Sequence, residues 1–230
     1  MPEVLPWEKV GQEYRKDFKQ AAILVDLERC TGCHACSVAC KTEHDVPLGD
    51  FRMRVRYLEQ PEEKQQLSFV PLICMQCQDA PCLNVCPTSA IERLEDGRVV
   101  IEEEKCCGNK ACVTACPYGA IFINEKSQKA EKCDLCTHRT ELGLEPACVD
   151  ACPTDALKFY DLGDENDPIT QIVKKKKAKA WKEDADTKPS VLYIGHEAWM
   201  ETKTNLGVSL SNRDEDPIYE QDNFKTKGGQ

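Results

Sequence analysis

The chain has 230 residues, 16 of them cysteine, and a formal net charge of −10 when the thiols are counted as neutral, which argues against nucleic acid as a partner. The hydrophobic share of 41% includes those cysteines, leaving roughly a third of the chain as ordinary core material. With 12 Gly and 13 Pro besides, this composition predicts a loop-rich molecule of one large or two small domains, its interior partly supplied by something other than side chains.

The leading segment, Trp7 to Gln20, reads as an extended arm. Met1 to Val25 contain neither an apolar signal core nor a twin-arginine pair. No stretch of the chain approaches the roughly 18 to 20 apolar residues of a membrane-spanning helix. The expectation is a soluble or peripheral chain without direct membrane insertion, either cytoplasmic or exported already folded with a partner.

Ala21 to Leu27 predicts a strand, and the first cysteine run follows at Cys30, Cys33, Cys36 and Cys40. The second is Cys74, Cys77, Cys82 and Cys86. Ala90 to Ile101 then carries Asp96-Gly97 between two apolar-rich segments, the signal of a tight hairpin. The third run is irregular, at Cys106, Cys107, Cys112 and Cys116, and Ile121 to Asn124 predicts another strand. The fourth, Cys133, Cys136, Cys148 and Cys152, has an eleven-residue insertion in its middle.

Every run closes with a C-x3-C step, and three continue as Cys-Pro, two residues, then Ala-Ile or Ala-Leu: Cys86 to Ile91, Cys116 to Ile121 and Cys152 to Leu157. The repeated unit is strand, cysteine loop, short helix through the C-x3-C step, strand. Four copies make two pairs.

This spacing suits iron–sulfur cubanes. A C-x2-C-x2-C loop wraps one face of a compact cluster and delivers three thiolates. In the bacterial C-x2-C-x2-C-x3-C-P pattern the last cysteine ligates the other cluster of a pair, because the helical step carries its sulfur away from the loop. Zinc is the best competing reading, since paired C-x2-C elements also build tetrahedral sites, but it does not ask for the C-x3-C-P ending. A disulfide framework suits a small secreted domain.

In the third run Asn109 stands where Cys106 plus three calls for a cysteine, and Cys107 sits beside Cys106. Three outcomes are open: Cys107 supplies the missing ligand, the site holds a three-iron cluster, or Asn109 or water completes a cubane. The first is favoured, because Cys107-x4-Cys112-x3-Cys116 reproduces the tail of the second run, Cys77-x4-Cys82-x3-Cys86.

From about Ala22 to Tyr160 the chain resembles the four-cluster iron–sulfur subunit of the dimethyl sulfoxide reductase family of molybdopterin oxidoreductases. The matching stretches are Cys30-Thr31-Gly32-Cys33-His34-Ala35-Cys36, Cys74-Met75-Gln76-Cys77-Gln78-Asp79-Ala80-Pro81-Cys82, Ala115-Cys116-Pro117-Tyr118-Gly119-Ala120, and Lys132-Cys133-Asp134-Leu135-Cys136 with Pro146-Ala147-Cys148. Pro189 to Gly195 resembles a tail strand of that group.

The resemblance implies that Cys30, Cys33 and Cys36 join Cys152, and that Cys133, Cys136 and Cys148 join Cys40. Likewise Cys74, Cys77 and Cys82 join Cys116, and Cys106, Cys112 and Cys107 join Cys86. Three sites would hold [4Fe-4S] clusters and the last a [4Fe-4S] or [3Fe-4S] cluster. It further implies an electron relay between a molybdopterin catalytic subunit of the bis-guanine-dinucleotide type and a quinone-binding membrane anchor or a soluble carrier, with no substrate site on this chain. A subunit serving a hydrogenase or formate dehydrogenase is the alternative within electron transfer, and a zinc-stabilised structural module the alternative outside it.

The expected architecture is α+β, with two bacterial ferredoxin-like modules of short hairpins and helices. Residues 22–60 with 125–170 form one and 61–124 the other, flanked by an arm over 1–21 and an extension over 171–230 that wraps a partner. Arg29, Lys105 and Lys132 each precede a run's first cysteine, where a cation either raises a cluster's potential or is simply solvated. His34, His44, His138 and His196 read as structural or exposed, and Lys174 to Lys177 with Lys179 as a solvated helix face.

Overall fold

In a computed structural model of the chain, residues 17–59 and 67–203 are described. Strand β1 (Ala21–Asp26) is apolar at five successive positions and buried on both faces, the pattern of a central strand. It pairs antiparallel with β8 (Leu157–Asp161) and parallel with β10 (Val191–Ile194), and β9 (Lys179–Ala180) closes the far edge of this four-stranded sheet. Ala21, Ile23 and Val25 face the core that also holds the cysteines, whereas Ala22 and Leu24 meet Val173 of helix α6 (Pro168–Lys176). Asp167 caps α6, its carboxylate accepting from Ile169 N at 2.8 Å, with Pro168 in the first turn. Lys174, Lys175 and Lys176 sit exposed in its last turn, the solvated face expected there.

Three two-stranded hairpins surround this sheet. β4 (Ile91–Arg93) pairs with β5 (Val99–Ile101) around the Asp96-Gly97 turn, as expected, and β6 (Phe122–Ile123) pairs with β7 (Ala130–Glu131). The longest, β2 (Met53–Glu59) with β3 (Leu67–Ile73), was not anticipated from the sequence. Pro71 lies in the middle of β3, opposite Val55, tolerable because β3 has a neighbour on one side only.

The short helices all surround cysteines: α1 (Ala35–His44), α2 (Pro81–Asn84), α3 (Ala111–Ala115) and α5 (Ala147–Asp150), with α4 (Thr137–Thr140) in the insertion of the fourth run. The protein is α+β, as predicted. Strand pairing crosses the expected boundaries in two places. The β2–β3 pair straddles the division placed between 60 and 61, and the β6–β7 hairpin straddles that between 124 and 125. The segment from 171 onward contributes β9 and an interior strand, β10, to the sheet, and its described part ends in helix α7 (Ala198–Lys203). Most of the arm assigned to Trp7 to Gln20, and the tail from 204, lie outside the described residues.

Candidate metal centres

The sixteen thiols fall into four groups. Cys30, Cys33, Cys36 and Cys152 line one hollow (site 1), backed by Val55, Pro71 and Leu157. Cys40, Cys133, Cys136 and Cys148, all buried, lie close enough to raise one another's pKa (site 2). Cys74, Cys77, Cys82 and Cys116 line a third hollow against Val99 and Ile121 (site 3). Cys86, Cys106, Cys107 and Cys112 line a fourth with Ile91, Ile101 and Ala130 (site 4).

Short helices join these sites in pairs. Cys36 and Cys40 lie one turn apart on α1, so one sulfur faces site 1 and the other site 2; α5 and the turn after it do the same for Cys148 and Cys152. Across α2 and α3, Cys82 and Cys112 begin steps that end at Cys86 and Cys116, coupling sites 3 and 4. A four-residue helical step advances about 6 Å, enough to send two sulfurs to different clusters.

The Cys-Pro repeat also has a structural account. Ser89, Gly119 and Asp155, each three residues after the Cys, are left-handed at φ 51°, 58° and 53°. This turn aims backbone N–H groups back at the sulfur. Ala90 N donates to Cys86 Sγ at 3.3 Å. Burial pushes the Cys152 thiol up, but N–H groups of Leu157, Thr154 and Ala156 more than offset it. At Cys86 the groups of Thr88, Ala90 and Ile91 likewise overcome burial. Such donors favour thiolate.

Elsewhere burial dominates. It pushes Cys40, Cys77 and Cys82 up to about 12, and Cys36, Cys112 and Cys136 to about 11. Free thiols in these positions stay protonated at neutral pH, so each group becomes a thiolate set only where a bound cation displaces the protons. At sites 1, 3 and 4 the four sulfurs share a hollow with apolar side chains. An all-sulfur donor set around a hollow, with peptide N–H groups on the sulfurs, fits a cubane.

The first and third loops share one backbone course. Gly32 and Gly108 both have φ 69°, and His34 and Lys110, left-handed at φ 62° and 68°, stand immediately before α1 and α3. A Cβ on Gly108 would run into the carbonyl oxygen of Gln128, so only glycine passes there. Asn109 therefore occupies the place of Cys33. Its Oδ1 accepts from Ala111 N at 3.2 Å, and the exposed Cys107 lines the hollow.

Three residues beside the thiols, Arg52, Gln76 and Thr187, escaped sequence reasoning as functional candidates. Arg52 donates to His44 Nδ1 at 3.0 Å, and because arginine only donates, the His44 proton sits on Nε2, 3.2 Å from Cys136 Sγ. Burial, and then the Arg52 charge, hold His44 below its usual pKa. Cys36, Cys40 and His44 follow i, i+4, i+8 spacing, a signal that places His44 on the ligand face of α1. Gln76, fully buried, donates to the Cys133 carbonyl at 2.8 Å and so ties site 3 to site 2. Thr187, buried, shares a 2.5 Å hydrogen bond with Tyr118 and hydrogen-bonds Cys77. Among the other histidines, His34 meets Tyr57 at 2.6 Å and His138 meets Glu43 at 2.7 Å at the surface. His196 is buried, its Nε2 3.0 Å from Glu201.

Four cysteine groups, cross-linked by C-x3-C helices and lined by peptide donors, define a multi-cluster protein of ferredoxin type. The family model of a 4Fe-4S dicluster domain matches residues 65–162, and that of a 4Fe-4S binding domain matches 21–42. The chain is 41% identical over 179 residues to the B component of tetrathionate reductase from Salmonella typhimurium, covering 76% of this sequence and 72% of that one. It is 43% identical to the thiosulfate reductase electron transfer subunit PhsB of Salmonella typhi (61% and 75%), and 31% identical to the arsenate respiratory reductase iron-sulfur subunit ArrB of a Shewanella species (75% and 94%). The protein belongs to the family of iron–sulfur electron-transfer subunits of the dimethyl sulfoxide reductase group. It binds several iron–sulfur clusters and serves a reductase complex. Among the described residues no helix is long and apolar enough to cross a membrane.

Proposed function

We propose that the protein holds four clusters and relays electrons between a molybdopterin catalytic subunit and a quinone-linked membrane subunit or soluble carrier. The ligand sets are Cys30, Cys33, Cys36 and Cys152; Cys40, Cys133, Cys136 and Cys148; Cys74, Cys77, Cys82 and Cys116; and Cys86, Cys106, Cys107 and Cys112. One observation carries this reading: all sixteen cysteines sort into four groups of four, with none left over. Such clusters supply one-electron redox chemistry without proton transfer at a substrate.

The protein's own residues order the relay. The helical Cys-x3-Cys steps link site 1 to site 2 and site 3 to site 4, and Gln76 links sites 2 and 3. Exposed Cys33 and Cys107 put the two ends of this series at the surface, while sites 2 and 3 are lined by buried thiols. Rigid, closely packed surroundings keep the spacing constant between oxidation states.

The test is anaerobic purification with native partners, followed by iron and sulfide analysis and low-temperature paramagnetic resonance. Four centres and a co-purifying molybdenum subunit are expected. A colourless, iron-free, cooperatively folded chain would falsify the proposal.

At site 4, Cys107 is the fourth ligand, in keeping with the engagement of Asn109 Oδ1 by the α3 N-terminus. Cys107→Ser should convert one centre to a three-iron signal, while Asn109→Ala should leave the spectrum as it is. A three-iron signal already present in the unmodified protein would remove Cys107 from the ligand set.

A further inference from the structure

Of the three cations that stand directly before a cysteine run, two are surface residues with acidic partners. Arg29 lies 3.7 Å from Asp155 and Lys105 lies 2.6 Å from Glu102, each with about half its side chain exposed. Lys132 is different. It is 3% exposed, and its ammonium donates to the carbonyl oxygens of Val99 and, at 3.0 Å, of Cys133. Among the described residues no carboxylate forms an ion pair with it. The acidic neighbours in sequence, Glu131 and Asp134, are both taken by Arg52, at 3.1 and 3.6 Å.

A buried ammonium with only neutral carbonyls for company is strongly disfavoured, and a fold retains one where an anion faces it. Besides Glu92, Glu103 and Glu141, which line the same surface cleft as Lys132 without an ion pair to it among the described residues, the anions on offer are the thiolates of site 3. Val99, whose carbonyl takes the Lys132 ammonium, lines the hollow of that site together with Cys74, Cys77, Cys82 and Cys116. The position of Lys132 is rigid, because the same two residues, Val99 and Cys133, are gripped a second time by Gln76. The side-chain oxygen of Gln76 accepts from Val99 N at 2.7 Å, and its nitrogen donates to Cys133 O at 2.8 Å.

We propose that Lys132 is the internal counter-cation of the cluster bound by Cys74, Cys77, Cys82 and Cys116, set at the seam between sites 3 and 2 to raise that cluster's reduction potential. The inference rests on the ligand sets proposed above. A cation in a dry setting stabilises the reduced, more negative state more than the oxidised one, so the midpoint moves up. Because Lys132 also bonds the carbonyl of a site 2 cysteine, it acts where an electron would pass from one module to the other. Burial protects this charge from salt, unlike those of Arg29 and Lys105.

The experiment compares the full-length protein with Lys132→Met, Lys132→Gln and Lys132→Arg variants by iron and sulfide analysis and by potentiometric titration followed by paramagnetic resonance. Full cluster content is expected in each, with the midpoint of one centre lowered in the Met and Gln variants and restored toward the original value by Arg. If that centre instead fails to assemble with Met and Gln but assembles with Arg, the requirement for charge is upheld. Unchanged midpoints in a fully loaded Lys132→Met protein would overturn the role of Lys132 alone. Fewer than four centres in the unmodified protein would instead overturn the ligand sets.

Discussion

Thr187 shows how much one hydroxyl can matter at this kind of site. Its backbone carbonyl accepts from Asp79 N at 3.0 Å, and Lys188 O accepts from Gln78 N at 2.9 Å, which fixes residue 187 against the Cys77 loop. Cys77, as thiolate, can only accept, so Thr187 donates to it and accepts from the Tyr118 hydroxyl at 2.5 Å. A donor on a cluster sulfur stabilises the reduced state. Thr187→Val should therefore lower the midpoint of the same centre that Lys132→Met lowers, and Thr187→Ser should restore it. Midpoints unchanged in the valine variant would show that the hydroxyl only packs. Nothing near Thr187 in the sequence marks it, since the nearest site 3 cysteine along the chain is Cys116 and the contact is tertiary.

At the scale of elements, the helices through the C-x3-C steps are too short to stand alone. α2, α3 and α5 have four or five residues each and α1 has ten, all below the roughly 12 to 15 at which an isolated helix becomes even marginal. Their stability comes from what their cysteines bind and from packing such as α1 against α5. The segment from 168 to 203 does for the sheet what those helices do for the sites. Trp181, almost fully buried, lies 5.3 Å from the Tyr193 ring and 4.8 Å from that of His196. Lys182 Nζ reaches the carbonyl of Pro117, next to Cys116, at 2.8 Å.

Burial, ahead of the attraction of Glu201, holds His196 below its ordinary 6.5. The unfolded chain thus takes up a proton that the folded chain resists, and stability should fall as pH drops below about 6.5. Denaturant titrations from pH 7.5 to 5 test this: His196→Gln should flatten the slope over that window, and an equally steep slope in the variant would assign it to other groups.

For the whole molecule, the cysteines and the apolar residues share one core. Ile23 and Val25 of β1, Val70 and Leu72 of β3, and the thiols of Cys36, Cys74 and Cys133 belong to the same buried cluster of side chains. Because these thiols are buried within that core, metal binding at them is coupled to folding. Stripping iron anaerobically with a chelator should abolish near-ultraviolet dichroism and cooperative unfolding together. Retention of both would mean that the protein frame stands without its clusters.

The cysteine spacing and the Cys-Pro endings were enough to read iron–sulfur binding and the repeated unit, and apolar runs with an Asp-Gly turn were enough to read the β1 strand and the Asp96-Gly97 hairpin. These are local patterns, legible because ligand geometry and turn chemistry act over a few residues. The β2–β3 pair was not legible, since Pro71 breaks the signal of β3 and Arg54 and Arg56 look solvent-facing yet are buried. Nor was the membership of β10 in the sheet, which depends on a parallel pairing with the distant β1. Most instructive are Arg29, Lys105 and Lys132, identical in their relation to a cysteine run. Which of them is buried, and so carries an unscreened charge, is decided by tertiary packing, because desolvation is a property of the surroundings and not of the residue.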